Sequence, residues 1–315
     1  MKALVVNSFD NPPSFQDFRD PEAQEGETVL TVQATTLSPI VKSLASGRHY
    51  TSGRAAGFVP GVDGVGIDSK GQRVYFLFPK APFGSMAEKS LASSTMTVPV
   101  PEELASDHAA AVVTGALASW VALTRRAKIK KGDNVLILGA TGSSGSMAIQ
   151  TARYLGASKV VAVGRNWQKL ERLNADVSIK LDENADAALR AQFDSGVDIV
   201  LDFVWGDPAA RLLAAATLNR GSRMGEPRLR YMQLGTMAGD VVPIRGDMLR
   251  SSGIELLGSG IGSLAVADLV AGAGELLAAA PVAGFRTEFQ TVPLAAVAEA
   301  WTSVPDKRYV FVPAI

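Results

Sequence analysis

The sequence predicts an α/β protein: a doubly wound parallel sheet of six strands, inserted into a β-rich domain that is discontinuous along the chain. Three observations predict it. Residues 133–156, DNVLILGATGSSGSMAIQTARYLG, read as strand, glycine turn and helix. From Asn134 onward, short apolar runs alternate with helical ones, the pattern of a parallel sheet. Before that stretch and again after Phe285, the chain reads as short β runs set apart by Pro, Gly and Asp.

In order, β runs are expected at 3–6, 28–32, 73–78 and 95–98. Tyr75 to Phe78 read as core and edge packing, with no chemical role. The segment PGVDGVG, 60–66, reads as a turn and strand to which another backbone or a ligand comes close. Residues 101–126 are alanine-rich and begin with proline and glutamates, a helix-start signal, and Thr114-Gly115 is expected to divide them into two helices. Strands follow at 134–139, 160–164, 177–181, 197–203, 230–235 and 255–258, with helices at 144–155, 167–174, 185–193, 208–218 and 263–280. The tail shows β runs at 289–292 and 309–312 and a helix at 294–303. The expected domains are therefore 1–117 with 261–315, and 118–260.

The 315 residues exceed what one compact core usually takes, which makes two domains the default. Lys+Arg and Asp+Glu balance at 31 each, so nucleic acid and an anionic membrane are not expected partners. The chain has no cysteine, which excludes disulfides, thiolate metal sites and a cysteine nucleophile. With His49 and His108 as its 2 histidines, it cannot build a histidine-rich metal site either. The start MKALVVNSF reads as a strand and not a signal peptide. No apolar run is expected to reach membrane-spanning length, and a cytoplasmic location follows.

The glycine turn carries the chemistry. Val135 to Leu138 form a fully apolar strand, glycines stand at 139, 142 and 145, and Ala148, Ala152 and Leu155 share one helical face. A helix N-terminus turns N–H groups and the positive end of its dipole toward the turn, and a turn without side chains admits a pyrophosphate. Thr141, Gly142, Ser143 and Ser144 are the candidates to cradle it. The second strand ends Val163-Gly164-Arg165-Asn166, with Lys169 one helical turn on. An NAD site places a carboxylate here for the ribose 2′-OH. This one offers Arg165 and Lys169, with Gly164 and Asn166 beside them, which implies NADPH. For the nicotinamide end the candidates are Phe203 and Val204, then Leu234, Gly235 and Thr236, at carboxyl ends of strands; Thr114 and Ser259 are further ones.

The order of motifs resembles the medium-chain dehydrogenase/reductase superfamily over essentially the whole chain, in its zinc-independent quinone oxidoreductase-like branch. The carrying residues are MKALVV at the start, VPGVDGVG at 59–66, AAAVVTGALASWVAL at 109–123, KKGDNVLILGATGSSG at 130–145, VVAVGRN at 160–166, DIVLDFVWG at 198–206 and YMQLGTMAGD at 231–240. The resemblance implies a GroES-like catalytic domain around a Rossmann domain, a homodimer, and hydride transfer from NADPH to a small-molecule quinone or other conjugated carbonyl. The rivals are an enoyl-thioester or enone (2-alkenal) reductase and a non-catalytic NADPH-binding sensor. Zinc relatives carry His-Glu where this chain has Val62-Asp63, and a later ligand where it has Thr114, so no metal is expected. The branch's Asn before proline is here Ser38, and its acidic residue is Val41. A tyrosine of this segment faces the nicotinamide in the branch, which implies Tyr50 as the residue that orients the carbonyl and donates the proton. The other polar residues nearby are read without a chemical role: His49 as a loop histidine, Ser38 as a cap, Lys42 as solvated. The arginine-rich loop at 220–230 is read as a solvated excursion.

Overall fold

The computed structural model describes residues 1–53, 55–303 and 307–313. The chain divides into two compact units, Met1–Thr114 with Val270–Ile315, and Gly115–Leu269. Its elements are β1 (Lys2–Val5), β2 (Ser14–Asp17), β3 (Glu27–Thr36), α1 (Pro39–Ala45), β4 (Asp63–Ile67), β5 (Arg73–Leu77), β6 (Lys89–Ser93), β7 (Thr97–Pro99) and α2 (Ser106–Val121). Then come β8 (Asn134–Leu138), α3 (Ser143–Tyr154), β9 (Lys159–Gly164), α4 (Trp167–Leu170), β10 (Val177–Lys180), α5 (Ala185–Asp194), β11 (Ile199–Asp202) and α6 (Gly206–Thr217). The remainder are β12 (Leu229–Gln233), α7 (Gly246–Ser251), β13 (Ile254–Gly258), α8 (Val266–Ala283), β14 (Phe289–Pro293), α9 (Val297–Thr302) and β15 (Arg308–Val312).

In the second unit, six strands pair in parallel in the order β10-β9-β8-β11-β12-β13. The strands alternate their side chains between two faces. Val135, Ile137, Val160, Ala162, Ile199 and Leu201 pack with Ala148, Ile149 and Ala152 of α3. Leu136, Leu138, Val161, Val163 and Val200 pack with Leu189 and Phe193 of α5 and Leu212 and Leu213 of α6. Both faces are covered, which is why these strands read as continuous apolar runs. The chain leaves β8 toward β9 on one side and returns to pair β11 on the other, so the strand order reverses between β8 and β11. Ligands bind outside the carboxyl ends of strands at such a reversal.

The first unit is a seven-stranded mixed sheet around β3, which pairs with β4, β6 and β15; β14 lies parallel to β15 at its edge. Together the units form a Rossmann sheet inserted into a GroES-like β-rich fold. In the first unit Gly61, at φ +111, shows why PGVDGVG needs its glycines: a Cβ there would lie 2.2 Å from Ser85 Oγ.

Four expectations are corrected. The alanine-rich stretch is one helix, α2, running through Thr114-Gly115 and passing into a π-helical turn at Ala122–Ala127. Gly115 is tolerated because one glycine costs about 1 kcal/mol in a helix, less than the burial of its apolar neighbours returns. The helix after β9 stops at Leu170, not 174. Helices α1 and α7 arise where none was expected, α1 because Pro39 sits pre-set in its first turn. Finally, the 18 residues of α8 are apolar enough to cross a membrane by composition. The expectation that no run reaches that length does not hold, although Leu269, Ala273, Leu276, Leu277 and Ala280 are buried along one helical face.

Candidate functional site

The glycine turn is shaped by contacts too close for side chains. Gly139 has φ +89, a conformation glycine adopts freely, and a Cβ there would lie 2.7 Å from Val204 Cγ2. A Cβ on Gly145 would lie 2.2 Å from the Gly139 carbonyl oxygen, so α3 crosses the turn with no room for a methyl group. Gly142 caps α3 in an extended conformation without a side chain. Ser143 and Ser144 open the helix at the solvent side. This cradle fits a pyrophosphate: backbone donors and a helix dipole point into a space that side chains have vacated.

The second strand joins the cradle. Val163 carbonyl oxygen accepts the N–H groups of Gly139 and Ala140 at 2.9 and 3.0 Å. Gly164 faces Thr141, whose Cγ2 would lie 2.8 Å from a Cβ at 164. Arg165 and Asn166 follow, both exposed. Among the described residues, Arg165 has no hydrogen-bond or ion-pair partner and its guanidinium is available. Asn166 is committed in part: its Oδ1 caps α4 by accepting the Lys169 N–H at 3.0 Å. Lys169 is half-buried.

The turns after β11 and β12 meet. Phe203 donates its N–H to Leu138 oxygen at 3.2 Å, and a Cβ on Gly235 would lie 2.7 Å from Phe203 oxygen. Leu234 is half-buried and Thr236 lies beside them. Ser259 follows β13, donating its N–H to Gln233 oxygen at 3.0 Å; its Oγ is buried with no hydrogen-bond partner among the described residues. So Thr141, Gly164, Phe203, Val204, Leu234 and Gly235 are tied to the glycine turn or to one another. Thr114 and Tyr50 belong to the other unit.

In that unit Thr114 is part of a buried network. Thr36 donates to Thr114 at 3.0 Å, and Thr114 and Tyr75 donate to Asp63 Oδ2 at 3.0 and 2.6 Å. Burial pushes the Asp63 carboxyl up, against those hydrogen bonds and the Arg308 charge. Burial and the Asp63 charge hold the Tyr75 hydroxyl well above its usual range. Within this network Thr114 stands where the resemblance places a zinc ligand in other members, and Asp63 where it places the glutamate beside one. The network also corrects the expectation that Tyr75 only packs. Tyr50 is 74% exposed, its ring stacked at 4.2 Å on His49. His49 accepts or donates at Thr51 Oγ1, 2.7 Å away, and burial pushes its imidazole down. Ser38 stands at the N-cap of α1 but makes no capping bond, and its Oγ is buried without a partner among the described residues. Lys42 is not simply solvated: Nζ donates to Ser303 oxygen at 3.3 Å and burial lowers its pKa.

Sequence reading missed Asp202, the last residue of β11 and fully buried. A lone carboxylate closing the apolar run Ile199-Val200-Leu201 was the available signal. The arginine-rich loop precedes β12 and so lies at the amino ends of the strands, opposite the glycine turn. Arg220 pairs with Asp194 at 3.0 Å, Arg228 with Glu255 at 2.7 Å and Arg230 with Asp133 at 3.0 Å.

No family model matches the chain. A probable NADPH-dependent quinone reductase of Emericella nidulans is 29% identical over 361 residues, spanning 99% of this chain and 100% of that protein. The quinone oxidoreductase of Thermus thermophilus, solved alone and in complex with NADPH, superposes with a TM-score of 0.80 at 28% identity, covering 99% of this chain and 100% of that one. A mycocerosic acid synthase-like polyketide synthase of Mycobacterium tuberculosis is 32% identical over 238 residues, 71% of this chain but 11% of that protein. The order of the strands, the glycine turn between β8 and α3 and these full-length likenesses agree: the chain belongs to the medium-chain dehydrogenase/reductase superfamily, in its quinone-oxidoreductase-like branch.

Proposed function

We propose that the chain is a zinc-independent, NADPH-dependent oxidoreductase that reduces a quinone or another conjugated carbonyl. The observation that carries this reading is the end of β9: an exposed Arg165, without a partner among the described residues, with Lys169 behind it and no carboxylate, beside a cradle cleared of side chains. When bound, NADPH supplies the hydride from its nicotinamide. The residues of this chain bind and orient. Thr141, Ser143 and Ser144 hold the pyrophosphate by backbone N–H groups, and Gly142, whose own N–H donates to Gly139 oxygen at 3.1 Å, leaves room for it to approach. Arg165 meets the 2′-phosphate with its planar fork, and Lys169 adds a point charge. Phe203, Val204, Leu234, Gly235, Thr236 and Ser259 form the wall at the nicotinamide end. Tyr50 orients the substrate carbonyl and gives it a proton, which makes it the catalytic residue of the proposal, and the stacked His49 steadies its ring. Thr114, held by Asp63 and Thr36, is a further cofactor contact.

The enoyl-thioester alternative would be favoured if the arginine-rich loop lined the site; that loop precedes β12, at the amino ends of the strands. The proposal includes a cytoplasmic homodimer, for which the edge position of β13 offers the strand-to-strand contact. The test is loss of reduced-nicotinamide absorbance with EDTA present, for NADPH and NADH, against an ortho-quinone and a simple enone. Turnover with NADPH and the quinone is expected. NADPH binding without turnover on either acceptor would favour a sensor; faster enone turnover would move the assignment to an enone reductase.

A further inference from the structure

Two turns at the carboxyl ends of the strands, and one neighbouring strand, converge on one buried residue, Asp202. Asp202 Oδ1 accepts the N–H groups of Val204 and Trp205 at 2.8 and 2.9 Å. Its Oδ2 accepts the hydroxyl of Tyr231, from the neighbouring strand β12, at 2.8 Å. Its backbone oxygen accepts the N–H groups of Leu234 and Gly235 at 2.7 and 3.2 Å. One residue thus holds the turn after its own strand and the turn after the next.

The turn it holds is strained. Trp205 has φ +56 and ψ −156, a region that side-chain-bearing residues avoid and that persists only where the surroundings over-determine it. Gly206 follows at φ +59, and a Cβ there would lie 2.5 Å from Ala238 oxygen. Ala238 in turn donates its N–H to Val204 oxygen at 2.8 Å. Val204, which precedes Trp205, lies against Gly139 at the head of the glycine turn, where a Cβ would come within 2.7 Å of its Cγ2. The Asp202 carboxylate is the acceptor described for the Val204 and Trp205 N–H groups, and the bond from Ala238 and the contact of the Trp205 ring with Tyr231 hold the same turn from its other side. Burial pushes the Asp202 carboxyl up, while those two N–H groups and Tyr231 pull it back.

We propose that Asp202 is a positioning residue for the nicotinamide half of the cofactor: its carboxylate, fixed by Tyr231, locks Trp205 in its strained conformation and so sets Phe203 and Val204 against the glycine turn. This rests on the reading of that turn as an NADPH site. Asp202 touches no ligand itself. Its effect belongs to one half of the dinucleotide, because the bonds described for its carboxylate and backbone oxygen go to the turns after β11 and β12 and to Tyr231.

The experiment compares two ligands on the full chain: NADPH, followed by its fluorescence, and 2′-phospho-ADP-ribose, which has the phosphates and the 2′-phosphate but no nicotinamide. The variants are Asp202→Asn, which keeps one acceptor, Asp202→Ala, and Tyr231→Phe. The expected result is that Asp202→Ala weakens NADPH about tenfold or more and leaves the fragment within about twofold, with Tyr231→Phe and Asp202→Asn in between. Equal loss of both ligands in the two milder variants, or no loss of NADPH in Asp202→Ala, would overturn the proposal. A wild-type chain that binds neither ligand would overturn the NADPH reading itself, and this assignment with it.

Discussion

A methyl group at position 145 would lie 2.2 Å from a backbone oxygen, and backbone cannot step aside as a side chain can. Gly145→Ala is expected to cost about 1–3 kcal/mol by forced displacement of α3, seen as a lower Tm together with weakened NADPH binding. Arg165 is the opposite case, an exposed side chain with no structural duty. Its charge-assisted contact with a 2′-phosphate is worth about 1.5–3 kcal/mol, so Arg165→Ala should weaken NADPH about 10- to 100-fold and leave both NADH binding and Tm unchanged. Equal losses for NADPH and NADH would show that Arg165 does not read the phosphate. Asp63 yields a pH prediction. Its carboxyl binds a proton more tightly folded than unfolded, where the ordinary value is 3.8. Its contribution is therefore complete below 3.8 and is lost as pH rises through the higher folded value. The Tm of the wild type relative to Asp63→Asn should fall over that rise; a constant difference would show that Asp63 does not titrate abnormally.

At the scale of elements, the arginine-rich segment shows how composition can mislead. From the sequence it reads as a basic loop, yet its last arginine is core. Arg230, in β12, lies with a 5% exposed side chain against Asp133, and it also donates to Ala127 oxygen at 3.0 Å, closing the carboxyl end of the π-helical turn. Removing one member of such a pair leaves a buried charge alone, at about 3–5 kcal/mol. Asp133→Ala should therefore unfold at markedly lower denaturant, whereas Arg228→Ala, whose pair is exposed, should change stability by under about 1 kcal/mol. Comparable losses in both would mean that burial does not separate them. The same contrast explains what could be read in advance. The six parallel strands were legible because burial on both faces leaves an apolar run with few alternatives. The single helix through Thr114-Gly115 was not, because its continuity is decided by the packing of alanines that propensity alone treats as neutral.

At the scale of the molecule, the second unit is one unbroken stretch with its own core on both faces of its sheet, while the first is assembled from two stretches. Residues 115–269 expressed alone should therefore unfold in one cooperative transition and bind 2′-phospho-ADP-ribose. A molten, non-binding fragment would show that the sheet depends on the rest of the chain. The first unit should not fold from residues 1–114 alone, since β15 supplies a neighbour of β3 from the other end of the sequence.

The glycine turn, the cationic end of β9 and the alternation of strands and helices were already present in the order of residues. Each is a local pattern in which the backbone's needs dictate residue type: glycine where two backbones touch, apolar runs where both faces are covered, cations where a phosphate is to be met. The Asp202 clamp, the Asp63–Thr114–Tyr75 network, the burial of Arg230 and the placing of the arginine loop at the far ends of the strands were settled only by the tertiary structure. Each depends on residues far apart in the chain, and a carboxylate or an arginine reads the same in a sequence whether it meets water or a buried partner.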